Sequence, residues 1–177
     1  MAKSDSFFIR ANLVVDDDAT FYQTTIDLGA YVDALGKSVL RIHNVEYELA
    51  QGTDGNVPNG APTMDGDKSG AALWQLTTQS QTEMVPLSDK SCIGKGQIWA
   101  RNSDSESAMV PAQAWTDSVA PQHYSNGYLV AVEQMYLGGL ATDNWTETDN
   151  LTWNLVLECT VETLSQSAAM ALALSQQ

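Results

Sequence analysis

The sequence predicts an all-β protein in which two antiparallel sheets pack against each other. Three observations support this fold class. Apolar and polar side chains alternate along most of the regular segments, turn-forming residues separate these segments, and a helical pattern is restricted to the end of the chain. With 177 residues, 44% of them hydrophobic, the chain has enough apolar surface for a sizeable core. We therefore expect residues 1–177 to form a single domain.

The clearest strand prediction covers residues 151–163. Every second side chain in this segment is apolar, as expected for an extended chain with one buried face. We expect this strand to lie in the core and the upstream strands to cover it. The predicted buried side chains are Trp153, Leu155, Leu157, Cys159 and Val161.

Three strands are predicted in the N-terminal third of the chain. The bend between the second and the third begins at Gly29, and this arrangement predicts a hairpin. Within the third strand the buried face changes near His43, which predicts a β-bulge. The three strands cover residues 7–15, 22–28 and 38–49.

The middle of the chain contains shorter strands between two long polar excursions. The first excursion, residues 50–70, is rich in glycine, proline, asparagine and aspartate. The second, residues 102–122, alternates small and polar residues and is interrupted by Pro111 and Pro121. We expect strands at residues 71–79 and 96–101, a short one at most at 84–87, and one from residue 128 to residue 137 that Gly138 and Gly139 end. The total of about eight strands, with long connections and little helix, predicts an antiparallel β-sandwich of the jelly-roll type.

The last residues, 165–177, predict a short helix-like tail. Ser165 is a candidate N-cap, and the alanine, leucine and methionine residues that follow are strong helix formers without a charge. Such a segment either packs on its own domain or contacts a neighbouring subunit. In the second alternative the interface residues are Met170, Leu172 and Leu174.

The charge of the chain limits its partners. It has 22 acidic and eight basic residues, for a net charge of −14. This charge repels phosphate backbones and anionic lipids, so direct binding of nucleic acid is disfavoured. The acidity fits high solubility, a high-salt environment or a cationic partner. No apolar run approaches the roughly 20 residues of a membrane span, and the first residues lack the apolar segment of a signal peptide.

Few residues are candidates for chemistry. His43 and His123 lie at unrelated positions without a serine or cysteine motif beside them, so we expect structural or surface roles for both. Hard cations need about six to eight oxygen ligands, and no EF-hand spacing is present. We therefore predict no enzyme, no catalytic residue and no cofactor. The weak candidates for metal ligands are Asp16, Asp17, Asp18, Asp65 and Asp67.

The two cysteines, Cys92 and Cys159, are far apart in the sequence. Cys159 occupies a position on the apolar face of the last strand, where a thiol behaves as a small hydrophobic side chain. We expect buried free thiols, and a disulfide between the two is the alternative.

Two segments at the ends of the chain carry a resemblance to a known family. The first comprises residues 25–35, Thr-Ile-Asp-Leu-Gly-Ala-Tyr-Val-Asp-Ala-Leu, and residues 38–45, Ser-Val-Leu-Arg-Ile-His-Asn-Val. The second comprises residues 155–165, Leu-Val-Leu-Glu-Cys-Thr-Val-Glu-Thr-Leu-Ser, with the Ala-rich tail that ends in Leu-Ser-Gln-Gln. These segments resemble capsid proteins of small environmental viruses with a single jelly roll.

The resemblance implies a structural protein that self-assembles in many copies into the shell of a virion, without catalysis or cofactor. Other capsid proteins would be additional partners. The chain departs from the family in one respect. Many such proteins begin with a basic arm that neutralises the genome, whereas here only Lys3 and Arg10 precede residue 37.

A carbohydrate-binding β-sandwich module is the alternative function. Two of the five tryptophans lie in loop-like sequence and could stack on sugar rings. The uncharged tail and the missing secretion signal favour the shell instead. The five residues are Trp74, Trp99, Trp115, Trp145 and Trp153.

Overall fold

The computed structural model describes residues 5–33, 37–51, 62–105, 113–146 and 151–176. Within these ranges the backbone forms nine β-strands, a 3-10 turn at Pro121–His123 and one α-helix. The elements are β1 (Phe7–Val15), β2 (Tyr22–Asp27), β3 (Ser38–Gln51), β4 (Ser69–Thr77), β5 (Cys92–Arg101), β6 (Gln113–Val119), β7 (Tyr128–Val130), β8 (Gln134–Ala141), β9 (Leu151–Thr163) and α1 (Gln166–Ser175).

The strands form two antiparallel sheets. One has the order β1-β9-β3-β7, and the other has the order β2-β8-β4-β5-β6. The chain changes sheet at most of its connections, and only β4, β5 and β6 follow one another within a sheet. This strand order is that of a jelly roll in which β6 is an additional edge strand. The predicted fold class, a jelly-roll β-sandwich with a short C-terminal helix, is therefore confirmed.

Strand β9 has the predicted bounds and lies inside the first sheet. It pairs along its length with β1, from Leu151↔Val15 to Cys159↔Phe7, and on its other side with β3. The predicted apolar face is buried at Trp153, Leu155, Leu157 and Cys159, and Val161 is half-buried. A central strand with one face on the core explains the strict alternation.

The predicted β-bulge in β3 is also confirmed. The register between β3 and β9 shifts between Ile42 and Asn44, at the position of His43. The extra residue moves the buried positions from Leu40 and Ile42 to Val45, so both halves of this long strand cover the core.

Aromatic side chains from both sheets meet in the core. Trp74 of β4 and Trp153 of β9 are fully buried. The ring of Tyr47, on β3, contacts both indoles, with centroid distances of 5.2 Å to Trp74 and 6.1 Å to Trp153. Such tilted contacts contribute about 0.5–1.5 kcal/mol each beyond the burial of apolar area.

The predicted hairpin of residues 22–28 and 38–49 is wrong. Strand β2 pairs with β8, whereas β3 pairs with β9 and β7. The connection after Gly29 crosses to the other sheet, so the two strands bury their apolar faces towards each other across the core. Periodicity detects a buried face but does not distinguish between these two arrangements.

The predicted strand from residue 128 to residue 137 is two strands in different sheets, β7 and β8. Gly138 and Gly139 do not end β8 but lie within it. A Cβ atom on Gly138 would lie 2.5 Å from the ring of Phe21, and one on Gly139 would lie 2.7 Å from the carbonyl oxygen of Leu73. These glycines therefore permit close packing inside a strand.

Two further differences concern strands β5 and β6. Strand β5 begins at Cys92 and not at residue 96, because Gly94 and Gly96 interrupt the apolar alternation while the backbone remains paired. Strand β6 lies within the predicted excursion 102–122 and was missed because most of its residues are exposed on both faces. Residues 84–87 form no strand. The predicted loop 50–70 is shorter at both ends, because β3 continues to Gln51 and β4 begins at Ser69. Residues 52–61 of this loop lie outside the described residues.

Candidate functional site

Helix α1 attaches to the sandwich through a face of small side chains. The hydroxyl oxygen of Ser165 accepts a hydrogen bond from the N–H of Ala168 at 3.3 Å, which confirms the predicted N-cap. Ala169 and Ala173 are buried in a small apolar cluster with Val39 and Ala131. The helix thus lies against the end of the sandwich where β3 and β7 meet.

The three predicted interface residues do not share one environment. Leu172 is half-buried and packs against the small apolar cluster. Met170 and Leu174 are 45% and 69% exposed, and they lie one helical turn apart on the outer side of α1. The interface itself stays a prediction, and it now depends on Met170 and Leu174.

Gln176, the residue directly after α1, attaches the helix to β7. Its side chain is only 3% exposed. The amide nitrogen, Nε2, donates to the carbonyl oxygen of Leu129 at 2.6 Å, and Oε1 accepts from the N–H of Ala131 at 2.9 Å. This pair of bonds imitates a neighbouring strand at the free edge of β7.

The backbone of Gln176 also contacts the second sheet. Its carbonyl oxygen accepts hydrogen bonds from Thr78 Oγ1 at 2.8 Å and from Gln79 Nε2 at 3.1 Å, both directly after β4. One residue therefore links the helix to both sheets. No pattern in the sequence indicates this role, because a single glutamine at the end of an apolar tail resembles a solvated residue.

The acidic candidates for metal binding form local turns. Asp18 accepts bonds from the N–H and the hydroxyl of Thr20, both at 2.8 Å, and these bonds lower the pKa of its carboxyl group. Asp16 accepts from the hydroxyl of Tyr22 at 2.8 Å, which raises the pKa of Tyr22 to about 12. These contacts agree with a structured turn.

The second acidic segment contains Asp65 and Asp67. Asp67 has a left-handed backbone with φ 53°, and its N–H donates to the carbonyl oxygen of Asp104 at 2.7 Å. Over the ranges that the structure describes, no group of three or more His, Cys, Asp or Glu side chains is placed to hold a metal ion. The five aspartates stay weak candidates.

Both histidines make hydrogen bonds within the protein. His43 Nε2 lies 2.9 Å from Thr160 Oγ1 across β3 and β9, and His123 Nδ1 accepts from the N–H of Ala120 at 3.1 Å. His43 also lines a polar groove of about 790 Å³ on the outer face of the first sheet. In this groove Arg41 Nη2 donates to Glu162 Oε2 at 2.9 Å, and the bond raises the pKa of Arg41.

The cysteines are free and buried, as predicted. Burial raises the pKa of both thiols, and that of Cys159 reaches about 12. A thiol with a raised pKa is a poor nucleophile, so the described geometry gives neither cysteine a reactive role.

The tryptophans occupy two environments. Trp145 is buried, although its sequence context resembles a loop, and Trp74 and Trp153 belong to the core. Trp99 and Trp115 are 50% and 58% exposed and face each other directly across β5 and β6. The outward position of Trp99 follows from the alternation in β5, whereas the partner position of Trp115 required the unpredicted strand β6.

The described residues thus define a jelly-roll β-sandwich protein with exposed apolar side chains on α1 and on the β5–β6 edge. None of the helices in the described ranges has the length and apolar character of a membrane span.

Comparisons with known proteins add no family. No protein-family model matches the chain, and no curated protein does. Among solved structures, it is similar to VP1 in an unassembled pentamer of KI polyomavirus, with 9% identity, a TM-score of 0.35 and coverage of 92% of this chain and 99% of that one. It is also similar to a structure of infectious bursal disease virus, strain Gx, with 10% identity, a TM-score of 0.18 and coverage of 92% and 42%. At these scores the fold assignment depends on the strand order alone.

Proposed function

We propose that the protein is a structural, non-enzymatic subunit that self-assembles in many copies into a viral capsid shell, with residues 1–177 as one domain. The observation that carries this proposal is the exposed pair Met170 and Leu174 on a helix that its own domain holds in place. The jelly-roll strand order supports it, since capsid proteins are among the proteins with this architecture. Fold alone does not specify function, so the helix is the feature to test.

The anchoring of α1 is what makes the exposed pair suitable for assembly. Ala169 and Ala173 use one face of the helix for intramolecular packing, and Gln176 fixes its end. A helix that is already ordered loses little conformational entropy when a second copy binds. Apolar area contributes about 25 cal/mol per Å² on burial, and a symmetric shell repeats that contribution at every contact.

The charge of the chain opposes this contact. At a net charge of −14, copies repel each other until salt screens the repulsion. Assembly into the shell of a virion therefore requires that salt, divalent cations or other capsid proteins compensate the charge. The same charge disfavours direct contact with the genome.

The test is the oligomeric state of the full chain at low and high salt, measured by light scattering and negative-stain microscopy. We expect particles of uniform size from the unaltered protein, and none from the double variant Met170→Ser, Leu174→Ser. Circular dichroism should show that this variant remains folded, because both side chains are exposed. The control is Phe8→Ser, which removes an equally exposed apolar side chain from β1.

Two results would contradict the proposal. A strictly monomeric protein at both salt concentrations would exclude self-assembly of this chain. Particles that form equally well from the double variant would exclude α1 as the contact.

A further inference from the structure

The paired tryptophans on the β5–β6 edge form an exposed aromatic surface. Trp99 and Trp115 are directly opposite in the antiparallel register, so their side chains leave the same face of the sheet side by side. About half of each indole is exposed, although Trp74 and Trp153 of the same chain are fully buried. Large aromatic side chains at such positions are typical of binding sites.

Trp99 also lines a groove of about 400 Å³, a volume within the range of small-ligand sites. The groove continues from Trp99 over Ser69 and Ala71 of β4 to the turn at residues 142–144, which follows β8. One side of the groove is therefore aromatic, and the other side is lined by two polar residues, Asp143 and Asn144.

Two strained residues lie on this groove. Ala19 and Asn144 have left-handed backbones, with φ 60° and φ 89°, and three non-glycine residues in the described ranges have a positive φ. Hydrogen bonds hold both conformations: the N–H of Ala19 donates to the Ala141 carbonyl oxygen at 2.8 Å, and Asn144 Nδ2 donates to the Ser69 carbonyl oxygen at 3.1 Å. Strained backbone of this kind concentrates at ligand sites.

The chemistry of the surface selects one class of ligand. A net charge of −14 and the carboxylate of Asp143 disfavour an anion. An aromatic cage is the best recognition site for a cation. These two indoles form no cage, because they lie side by side on one face of the sheet, and Arg101 lies on the same face. A cation is therefore disfavoured as well. A polar ligand with flat apolar faces, whose hydroxyl groups bond to carboxylate and amide oxygens, fits both sides of the groove.

We propose that Trp99 and Trp115, together with the groove bounded by Asp143 and Asn144, bind a neutral oligosaccharide. One sugar ring stacks on Trp99 and places its hydroxyl groups towards Asp143 and Asn144. The next ring extends over Trp115. This site is independent of the helix contact, because it lies on the second sheet and uses none of the residues of α1.

The test is calorimetric titration of the full chain with three neutral oligosaccharides: cellohexaose, chitohexaose and mannohexaose. We expect saturable binding of at least one of them. Trp99→Ala and Trp115→Ala should each weaken that binding about tenfold, which corresponds to the loss of one aromatic contact of about 1.4 kcal/mol. Trp99→Phe should retain part of the affinity, and circular dichroism checks the fold of each variant.

The control variant is Phe8→Ala, which removes an exposed aromatic ring from the other sheet and should bind normally. The proposal fails if none of the three sugars binds at millimolar concentration, or if both tryptophan variants bind as well as the unaltered protein. It also fails if tetramethylammonium binds at this site in place of the sugars. Tryptophan variants that lose particle formation while sugar binding is unchanged would identify the pair as a contact between copies instead.

Discussion

The side-chain oxygen of Gln176 accepts a hydrogen bond from the N–H of Ala131 at 2.9 Å, directly beside the free edge of β7. The same amide group donates to the carbonyl oxygen of Leu129. Unpaired backbone groups on an edge strand are a template for pairing with another chain. Gln176 therefore closes this edge of β7 within the molecule and leaves other surfaces for contacts between copies.

Replacing Gln176 should destabilise the protein although the residue lies near the chain end. In Gln176→Ala, the buried N–H of Ala131 and the half-buried carbonyl oxygen of Leu129 lose their partner. We expect the free energy of unfolding to fall by about 1–3 kcal/mol, measured by denaturant melts.

The matched control is Gln166→Ala, at the exposed start of the same helix, which should change stability by about 0.5 kcal/mol or less. If the Gln176 variant were as stable as this control, the hydrogen bonds to β7 would not contribute to folding.

The alternation in β9 gives a second prediction. Leu155 is buried between the sheets, whereas the next residue, Val156, is only half-buried on the outer face. Leu155→Ala should cost about 2–5 kcal/mol of unfolding free energy. Val156→Ala should cost clearly less in the same melts. Equal losses at the two positions would show that the outer face of β9 is as tightly packed as the core face.

The sequence allowed good predictions where one face of a strand is buried and the other is not. Strand β9, strand β1 and the bulge at His43 follow directly from the apolar alternation. Strand β6 was missed because an edge strand that is exposed on both faces has no apolar pattern. Sheet membership was not predictable either, because two strands on opposite sides of a core have the same alternation as two strands in a hairpin.

The candidate site was predictable only in part. The uncharged tail correctly indicated a helix, and Ser165 correctly indicated its start. The exposure of Met170 and Leu174, in contrast to the half-buried Leu172, became visible only in the structure. The pairing of Trp99 with Trp115 depends on the register between β5 and β6, which is a long-range property of the fold. The contacts of Gln176 likewise depend on the position of β7 and give no local signal.

The buried thiol of Cys159 should make stability depend on alkaline pH. Burial raises its pKa from 9.0 to about 12, so the folded protein retains a proton that the unfolded chain releases. The stabilising contribution is therefore complete below about pH 9 and is lost as the pH rises towards 12. Denaturant melts at several alkaline pH values measure this loss.

The variant Cys159→Ala separates this effect from that of other groups that titrate at high pH. Its stability at neutral pH will be lower because a cavity forms in the core. The relevant quantity is the slope of stability against pH, which should be shallower in the variant above pH 9. Identical slopes for the two proteins would mean that Cys159 titrates normally in the folded state.

The net charge gives the last prediction, which concerns the salt dependence of assembly. Repulsion between copies at a charge of −14 extends over a Debye length of about 8 Å at physiological ionic strength and about 3 Å at 1 M salt. Particle formation, followed by light scattering, should therefore increase as sodium chloride is raised, because screening weakens the repulsion while apolar burial on α1 persists.

Sodium chloride and magnesium chloride should act alike at equal ionic strength if screening is the cause. A magnesium effect at far lower ionic strength would instead identify specific cation binding, for which Asp16 and Asp17 are the first residues to replace, and particles that dissociate as salt increases would show that the contacts are ionic.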